Sequence, residues 1–331
     1  MDDKIRIVLE RARNASYTAR KLAEKYGYLP YMIERYIEML GQDNVIDLLE
    51  ANESPLPETI RCNDYLIDCN ELETRLEEKG FKLTPIPQFS RYGYRVDYAP
   101  ISIGATHEYL QGYYYVQGAS SMSIVHAMDL PVPGVIIDMA AAPGGKSTQI
   151  LQMTRDKSLL IAVEKSPRRI KSLRSNIQRM RFSNYILLRR DNLSLGFSNL
   201  FDSVLLDAPS TGEGIIRKDP KRKRSRDILD LIKIHELQVK MLKKAIELAR
   251  PSASIVYAAC SLAAEEGEFV INRILEEYPE IEIEPHGLMA SQAITEYFGL
   301  KFDDRIKNCG RYWPHIHGYE GFFVCKLRKK R

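Results

Sequence analysis

The chain has 331 residues, of which 44% are hydrophobic and 28% are charged, a composition typical of a globular protein with more than one domain. Its apolar stretches are short and interrupted, which argues against a membrane span, and its first residues, MDDKIRIVLERARN, lack the apolar core of a secretion signal. The net charge of +4 is small, but the basic residues are clustered, so charge alone leaves nucleic-acid binding open.

The five cysteines are odd in number and show no CxxC spacing; they are Cys62, Cys69, Cys260, Cys309 and Cys325. This pattern argues against a disulfide framework and a zinc site, and favours a cytoplasmic location. His315 and His317 lie close to Trp313, but no acid or cysteine stands at ligand spacing, so we interpret them as structural and expect no metal.

Residues 1–55 have the apolar periodicity of helices, with Gly27 and Gly41 where helices would end. The stretch ESPLPE at 53–58 is a plausible linker. Residues 56–105 then alternate between strand-like and helical segments, which predicts a small α+β module.

From residue 106 to 331, short apolar runs alternate with amphipathic helices. This pattern predicts a doubly wound, mostly parallel α/β sheet of Rossmann-like type. In such a sheet the ligand lies beyond the carboxyl ends of the strands, where the unusual residues of this chain stand. The predicted strands are 134–140, 159–164, 185–191, 201–209, 253–260 and 321–328.

The first strand leads into a turn of small residues and then a helix. Such a turn allows a close approach to the backbone, and the helix start offers free N–H groups to an anionic ligand group. It is neither a GxGxxG turn nor a GxxxxGK[ST] phosphate loop. We predict that the turn binds a cofactor; it consists of Ala140, Ala141, Ala142, Pro143, Gly144, Gly145 and Lys146.

Acidic residues end the next two strands. Glu164 follows the second strand, where a carboxylate can accept hydrogen bonds from a ribose diol, and Asp191 follows the third. Arg169 stands one helical turn and a residue beyond Glu164 and could steady it.

The fourth strand runs into DAPSTGEG, so Asp207 emerges from an apolar run beside a turn rich in proline and glycine. Either Asp207 merely caps that turn, or it hydrogen-bonds the edge of a base. The basic run RKDPKRKRSR at 217–226 follows at once, and the chain ends with KLRKKR. Such clusters are solvated faces, disordered tails or phosphate-binding surfaces, and the position of the first one favours the last of these.

The fifth strand ends at Cys260, followed by Ser261 and a predicted helix. A buried thiol is the ordinary interpretation of a lone cysteine. Here the position in the same crevice as Asp207, near the N–H dipoles of a helix start, favours a nucleophile.

With these residues in place, the chain resembles the Sun/nucleolar-protein family of RNA (cytosine-5) methyltransferases. The resemblance covers nearly the whole chain and rests on DMAAAPGGKST, AVEKSPRRIKSLRSNIQR, LLDAPSTGEGIIRKDP, IVYAACSLAAEEGE and RYWPHIHGYEGFFVCKL. It implies that the turn, Glu164, Arg169, Asp191 and Asp207 hold S-adenosyl-L-methionine, that Cys260 is the nucleophile, and that the N-terminal segments form a helical region and a small RNA-binding module.

Three positions depart from the family pattern. Ala140 and Ala259 replace a common cysteine and threonine, whereas Ser210 replaces the cysteine of a Pro-Cys pair that is thought to assist product release. DNA cytosine-5 methyltransferases use that Pro-Cys cysteine as nucleophile, so the serine excludes the DNA reading. It also leaves the release step in doubt, although Ser210 could orient a water molecule there.

The sequence therefore predicts methylation of cytosine carbon 5 in RNA, in tRNA or rRNA, through a bond between Cys260 and carbon 6. The alternative is an RNA-binding protein whose catalysis is slowed or lost because of Ser210. Methylation of a protein or small molecule would need neither Cys260 nor the basic run. The oligomeric state cannot be read from the sequence.

Overall fold

The helices and strands of the computed structural model lie within residues 3–89 and 91–330, the part of the chain that the structure describes. The helices are α1 (Asp3–Arg13), α2 (Tyr17–Tyr26), α3 (Pro30–Glu53), α4 (Cys69–Glu77), α5 (His107–Leu110), α6 (Ala119–His126), α7 (Gly145–Met153), α8 (Arg169–Arg179), α9 (Ile228–Leu248), α10 (Glu268–Glu277) and α11 (Pro314–His317). The strands are β1 (Glu58–Cys62), β2 (Lys82–Pro85), β3 (Gly93–Tyr98), β4 (Tyr114–Val116), β5 (Val135–Asp138), β6 (Leu159–Val163), β7 (Tyr185–Leu188), β8 (Phe201–Ala208), β9 (Ala249–Ala259), β10 (Ile281–Glu284), β11 (Ser291–Gln292), β12 (Glu296–Tyr297), β13 (Leu300–Lys301), β14 (Gly310–Tyr312) and β15 (Phe322–Lys329). None of the helices in these ranges has the length and apolar character that crossing a membrane requires.

The N-terminal helices begin and end where local chemistry dictates. Ser16 caps α2 by accepting a hydrogen bond from the Ala19 N–H at 3.2 Å, and Gly27 ends that helix with a φ of 76°. Gly41 also leaves the helical conformation, with a φ of 78°, and it kinks α3 rather than ending it. Tyr36 and Leu48 of α3 belong to the same hydrophobic core as the large sheet, so the helical region shares a core with the rest of the chain.

The small module is an antiparallel sheet in the order β2-β3-β1-β4. Leu72 and Leu76 of α4 pack against Ile60 and Tyr94 of this sheet. The expected boundary at residue 105 falls inside the module, because β4 pairs with β1 and completes the sheet.

The large sheet has the order β11-β14-β15-β9-β8-β5-β6-β7, with β10 paired to β15. The five strands from β9 to β7 are parallel, which confirms the predicted mostly parallel α/β core. The sixth predicted strand, β15, runs antiparallel to β9, because the short strands after α10 bring the chain back from the opposite direction.

Alternate residues of the strands face opposite sides of the large sheet. Leu206 and Tyr257 share a core with α9, α10 and the N-terminal helices, whereas Leu205, Val256 and Ala258 pack against α6, α7 and α8. Each side of the sheet is therefore covered by helices, as a doubly wound fold requires.

The cysteine pattern led to a wrong expectation about disulfides. Cys62 is bonded to Cys69 and Cys309 to Cys325, with Cα atoms 5.9 and 4.4 Å apart. The fold brings together residues that are 7 and 16 positions apart, and no local spacing motif announces such pairs. The cytoplasmic location was predicted from the expected absence of disulfides. That argument no longer holds, and the location stays a prediction.

The basic residues near the C-terminus lie in an ordered strand and make ion pairs. Lys326 and Arg328 of β15 contact Asp129 and Glu284, and the Lys329 ammonium donates to backbone carbonyls of α9 and β9. This cluster is not a disordered tail up to residue 330, and Arg331 lies outside the described residues. The cluster fastens the last strand to its surroundings.

Candidate active site

The predicted glycine turn connects β5 to α7 and lines a cavity of about 190 Å³. Gly144 has a φ of 112°, a conformation that favours glycine. A Cβ on Gly145 would lie 3.3 Å from the Tyr115 ring, so the small residue lets the turn approach the small module. The wall opposite the turn comes from Tyr115, Val116, Gln117 and Gly118.

A second cavity of about 50 Å³ adjoins the first, and Ala140 lines both. Glu164, Arg169 and Asp191 all line this second cavity. The Glu164 carboxylate is buried, accepts the Ser166 N–H at 2.7 Å and lies 3.3 Å from the Arg169 guanidinium, which also donates to the Ala142 carbonyl. Arg169 thus braces the acid and the turn against each other.

The third strand ends at Leu188, three residues earlier than expected, and Asp191 caps a short helical turn by accepting the Leu193 N–H at 3.0 Å. Its neighbour Asn192 was not singled out as a site residue from the sequence. The Asn192 amide donates to the Met139 carbonyl at 3.1 Å and lines the same cavity. Asn192 therefore joins the turn to the third strand.

Asp207 and Lys146 form an ion pair at the edge of the larger cavity. The Lys146 ammonium lies 2.7 Å from the Asp207 carboxylate and 2.8 Å from the Ser121 hydroxyl. Asp138, also in the cavity wall, was missed as a site residue. Burial raises the pKa of Asp138 to about 6, against hydrogen bonds from Ser147 that lower it.

Cys260 follows the last residue of β9 and faces the same side of the sheet as Asp207. Asp207 pairs with Ala258, and strand alternation places Cys260, two residues further on, on the side of Ala258. Cys260 packs at the margin of the core that contains Ala141 and Ala142, and it is half-buried. Cys260 is thus packed against residues of the turn, but it lines neither of the two cavities.

The surroundings of the Cys260 thiol differ from the expected helix start. The helix α10 begins only at Glu268, and the Sγ instead donates to the Gly321 carbonyl at 3.7 Å. Burial, together with the carboxylates of Glu320 and Asp207, raises the pKa of Cys260 above its ordinary value. These effects favour the neutral thiol over the thiolate.

Ser210 supports the cysteine from the neighbouring loop. Its hydroxyl donates to the Cys260 carbonyl at 3.2 Å. Next to it, the buried Glu266 carboxylate accepts hydrogen bonds from the Thr211 N–H at 2.9 Å and the Ser261 hydroxyl at 2.6 Å. Glu266 therefore ties the loop after β8 to the loop after β9.

Glu320 is a second residue that sequence reasoning did not single out. A Cβ on Gly118, which lines the larger cavity, would lie only 1.6 Å from the Glu320 Oε1. Among the described residues no donor reaches the buried Oε2, and burial raises the pKa of Glu320. The signal was present in RYWPHIHGYEGFF, but a glutamate in a loop has no spacing that marks it.

The basic run at 217–226 has mainly structural contacts, which corrects the emphasis on phosphate binding. Arg217 donates to the carbonyls of Ser54, Pro55 and Gly318, and Lys223 is buried against the Tyr26 carbonyl. These residues fasten the N-terminal helices to the large sheet. The exposed Lys218 and Lys221 remain available to an anionic partner.

His315 and His317 both lie in the short helix α11. The Trp313 N–H donates to the His317 Nδ1 at 2.8 Å, which is a structural contact. Within residues 3–89 and 91–330, no three histidine, cysteine or acidic side chains are grouped as metal ligands would be.

The parallel sheet, the turn after its first strand and the acids at the following strand ends define a class I methyltransferase. A family model described as 16S rRNA methyltransferase RsmB/F matches residues 127–328, and one described as the N-terminal domain of 16S rRNA methyltransferase RsmF matches residues 29–119. The chain belongs to the Sun/nucleolar-protein family of RNA (cytosine-5) methyltransferases.

Named relatives and a solved structure agree with this membership. The chain is 35% identical over 312 residues to the 25S rRNA (cytosine-C(5))-methyltransferase nop2 of Schizosaccharomyces pombe, which covers 92% of this chain and 51% of that protein. It is 34% identical over 294 residues to ribosomal RNA small subunit methyltransferase F of Shewanella woodyi, covering 86% of this chain and 59% of that protein. The chain thus spans about half the length of the curated relatives it matches.

The crystal structure of a methyltransferase homolog protein from Pyrococcus horikoshii has a TM-score of 0.85 and 34% identity. The match covers 95% of this chain and 99% of that one, so the architecture extends over the whole described fold.

Proposed function

We propose that the chain methylates carbon 5 of cytosine in RNA, with S-adenosyl-L-methionine as methyl donor and Cys260 as covalent nucleophile. The observation that carries the proposal is that Cys260 and Asp207 leave neighbouring parallel strands on one side of the sheet, beside the glycine turn. Membership of the family supports the same chemistry.

The residues of the crevice fit the proposed cofactor. Ala140 lines both cavities, Glu164 and Asp191 line the smaller one, and the turn with Lys146 lines the larger one. Carboxylates suit a ribose diol, and the N–H groups at the start of α7 suit an anionic group. When bound, the cofactor supplies an electrophilic methyl group.

The chain's own residues supply the activation of the base. Carbon 5 of cytosine is a poor nucleophile until a thiolate adds to carbon 6, so Cys260 would form that bond. Addition of the thiol would place its sulfur on carbon 6 and its proton on ring nitrogen 3, and the Asp207 carboxylate, held by Lys146 at 2.7 Å, would accept hydrogen bonds from that N–H and from the amino group. After methyl transfer, loss of the carbon-5 proton restores the ring double bond and expels the Cys260 sulfur.

The target base must leave its stack to reach such a cleft, so the proposed substrate is a single-stranded or distorted RNA segment. The curated relatives are named for rRNA, which supports rRNA over tRNA as the substrate class. Bisulfite sequencing of total RNA from cells with and without the protein tests this choice. A new protected cytosine in tRNA alone would contradict it.

Substitution of the nucleophile tests the covalent scheme. Cys260→Ala is expected to abolish transfer of labelled methyl groups to RNA and to keep cofactor affinity, measured by calorimetry, within about twofold. RNA that contains 5-fluorocytidine should form a denaturation-resistant adduct with the unsubstituted protein and none with the variant. Methylation of cytosine by the variant would refute the assignment.

The alternative of a non-catalytic RNA-binding protein has one observation in its favour, the serine at position 210. Because the Ser210 hydroxyl already supports the Cys260 carbonyl, we expect Ser210→Cys to leave turnover equal or faster. Cofactor binding without label transfer to any RNA would favour the alternative. A collapse of turnover in the Ser210→Cys protein would assign Ser210 a specific role of its own.

A further inference from the structure

Arg61 reaches from the small module into the cofactor turn. It lies on β1 and is fully buried. Its guanidinium donates to the Gly145 carbonyl at 2.7 Å and to the Thr148 hydroxyl at 2.8 Å, in the first turn of α7. It also donates to the Gln117 side chain. A residue outside the predicted methyltransferase domain therefore holds the start of the cofactor helix.

Every hydrogen-bond acceptor of this guanidinium among the described residues is neutral: one carbonyl, one hydroxyl, side-chain amides and a thioether. Its Nε has no partner there. Burial lowers the pKa of Arg61 to about 9, so the group is still cationic at neutral pH. A buried charge without a counter-charge is costly, and a bound anion would offset that cost.

The contacts of Arg61 lie directly behind the wall of the larger cavity. Gly145, Gln117 and Tyr115 all line that cavity, and the Arg61 guanidinium lies 5.6 Å from the centre of the Tyr115 ring. Gln117 is further fixed by donating to the Gln149 side chain at 2.9 Å. Neutral hydrogen bonds and a ring thus separate the buried cation from the space that a ligand would fill.

We infer that Arg61 is a positioning residue that fixes the cofactor turn and makes this end of the cleft selective for a ligand with a carboxylate. The ligand takes its identity from the proposed function: the carboxylate is that of the amino-acid end of S-adenosyl-L-methionine. The cation acts through the Gly145 backbone and through a water-poor medium, in which charges are weakly screened. The small module is therefore part of the cofactor site as well as a candidate RNA-binding unit.

The test compares two ligands that differ only in this group, S-adenosyl-L-methionine and its decarboxylated form, by calorimetry without RNA. The unsubstituted protein is expected to bind the complete cofactor at least about tenfold more tightly. Arg61→Met should reduce this ratio to about one. If the variant keeps the ratio of the unsubstituted protein, the inference is wrong.

Two further variants separate this effect from loosening of the interface. Gln152→Met removes hydrogen bonds from α7 to the Cys62 carbonyl and the Asp64 carboxylate without touching the turn, so it should keep the ratio. Arg61→Lys keeps the charge but not the paired donors, and it should preserve most of the ratio while weakening both ligands. If Gln152→Met and Arg61→Lys lose the affinity ratio between the two ligands to the same extent, the inference is wrong. This outcome decides the question even if Arg61→Met does not fold.

The outcomes also separate this inference from the proposed function. If the unsubstituted protein binds neither ligand, the proposed cofactor is wrong. If it binds the complete cofactor well and the ratio does not depend on Arg61, the cofactor stands and the role of Arg61 falls.

Discussion

Arg35 in the helical region and Arg61 in the small module are both fully buried, and they differ in the partners that surround their charge. Arg35 lies 3.0 Å from Glu213 and 2.9 Å from Glu265. Burial acts to lower the pKa of Arg35, but these two carboxylates outweigh it and raise the pKa well above its ordinary value. Arg61 has neutral acceptors and a lowered pKa.

The difference teaches what each N-terminal unit contributes. Glu213 follows β8 and Glu265 follows β9, so Arg35 fastens the helical region to the two loops that come after Asp207 and after Cys260. The charge of Arg35 is balanced by these two carboxylates, so Arg35 acts to stabilise the fold. The hydrogen bonds of Arg61 go only to neutral acceptors among the described residues, which leaves its charge able to act on a ligand.

The largest expected effect on stability comes from removing the Arg35 guanidinium from its two carboxylate partners. Arg35→Met would leave two buried carboxylates without their cation, and we expect a loss of about 3–5 kcal/mol in the free energy of unfolding. Urea denaturation measures it. Arg75→Met, which removes an exposed ion pair with Glu71, is the control and should cost less than about 1 kcal/mol. A similar small loss for both variants would show that the buried pairing is not structural.

Arg61→Met should destabilise the protein less, by about 1–2 kcal/mol, because it leaves only neutral acceptors unpaired. The same denaturation experiment measures this change. The contrast between the two arginines fails if Arg61→Met costs as much as Arg35→Met.

Glu266 is a buried carboxylate, and the effect of its burial on stability can be tested by changing the pH. Burial raises the pKa of Glu266 from 4.5 to about 7, so the folded state holds its proton more tightly than the unfolded state. Stability should therefore fall as the pH rises from 4.5 through 7.

Glu266→Gln should remove this dependence. The hydroxyls of Thr211 and Ser261 can reverse their hydrogen bonds to accept from the new amide. Thermal melting across this pH range measures the difference, and an unchanged slope in the variant would assign the titration to another group.

The smallest expected effect concerns the Cys260 thiol. Because Glu320 helps to raise its pKa, Glu320→Gln should make alkylation by iodoacetamide about two- to fivefold faster at mildly alkaline pH. Glu10→Gln, at an exposed site on α1, should leave the rate unchanged. A slower reaction in Glu320→Gln would show that the carboxylate promotes, rather than hinders, loss of the thiol proton.

Sequence reasoning succeeded where local patterns carry the information. The apolar runs before Asp138, Glu164 and Asp207 predict parallel strands, and the ends of parallel strands meet at one edge of a sheet. The turn and these acids could therefore be grouped before any coordinates, and the structure brings them to one crevice.

It failed where contacts join residues that are distant in the chain. Neither the Cys309–Cys325 bond nor the buried carboxylate of Glu320 has a local signature, and both depend on how β15 returns beside β9. The structural contacts of Arg217 and Lys223 were not foreseen for the same reason, since a surface charge and an interface charge look alike in sequence. Phosphate binding by the exposed lysines of this run stays a prediction.

The sequence by itself determined the class of the fold and the position of the turn, because periodicity and short motifs act over a few residues. The role of Cys260 as nucleophile stays a prediction. Only the tertiary structure decided which charges are balanced. Burial and the distance between opposite charges set that balance, and for Arg35 and Arg61 both follow from contacts that lie between 56 and 230 residues away along the chain.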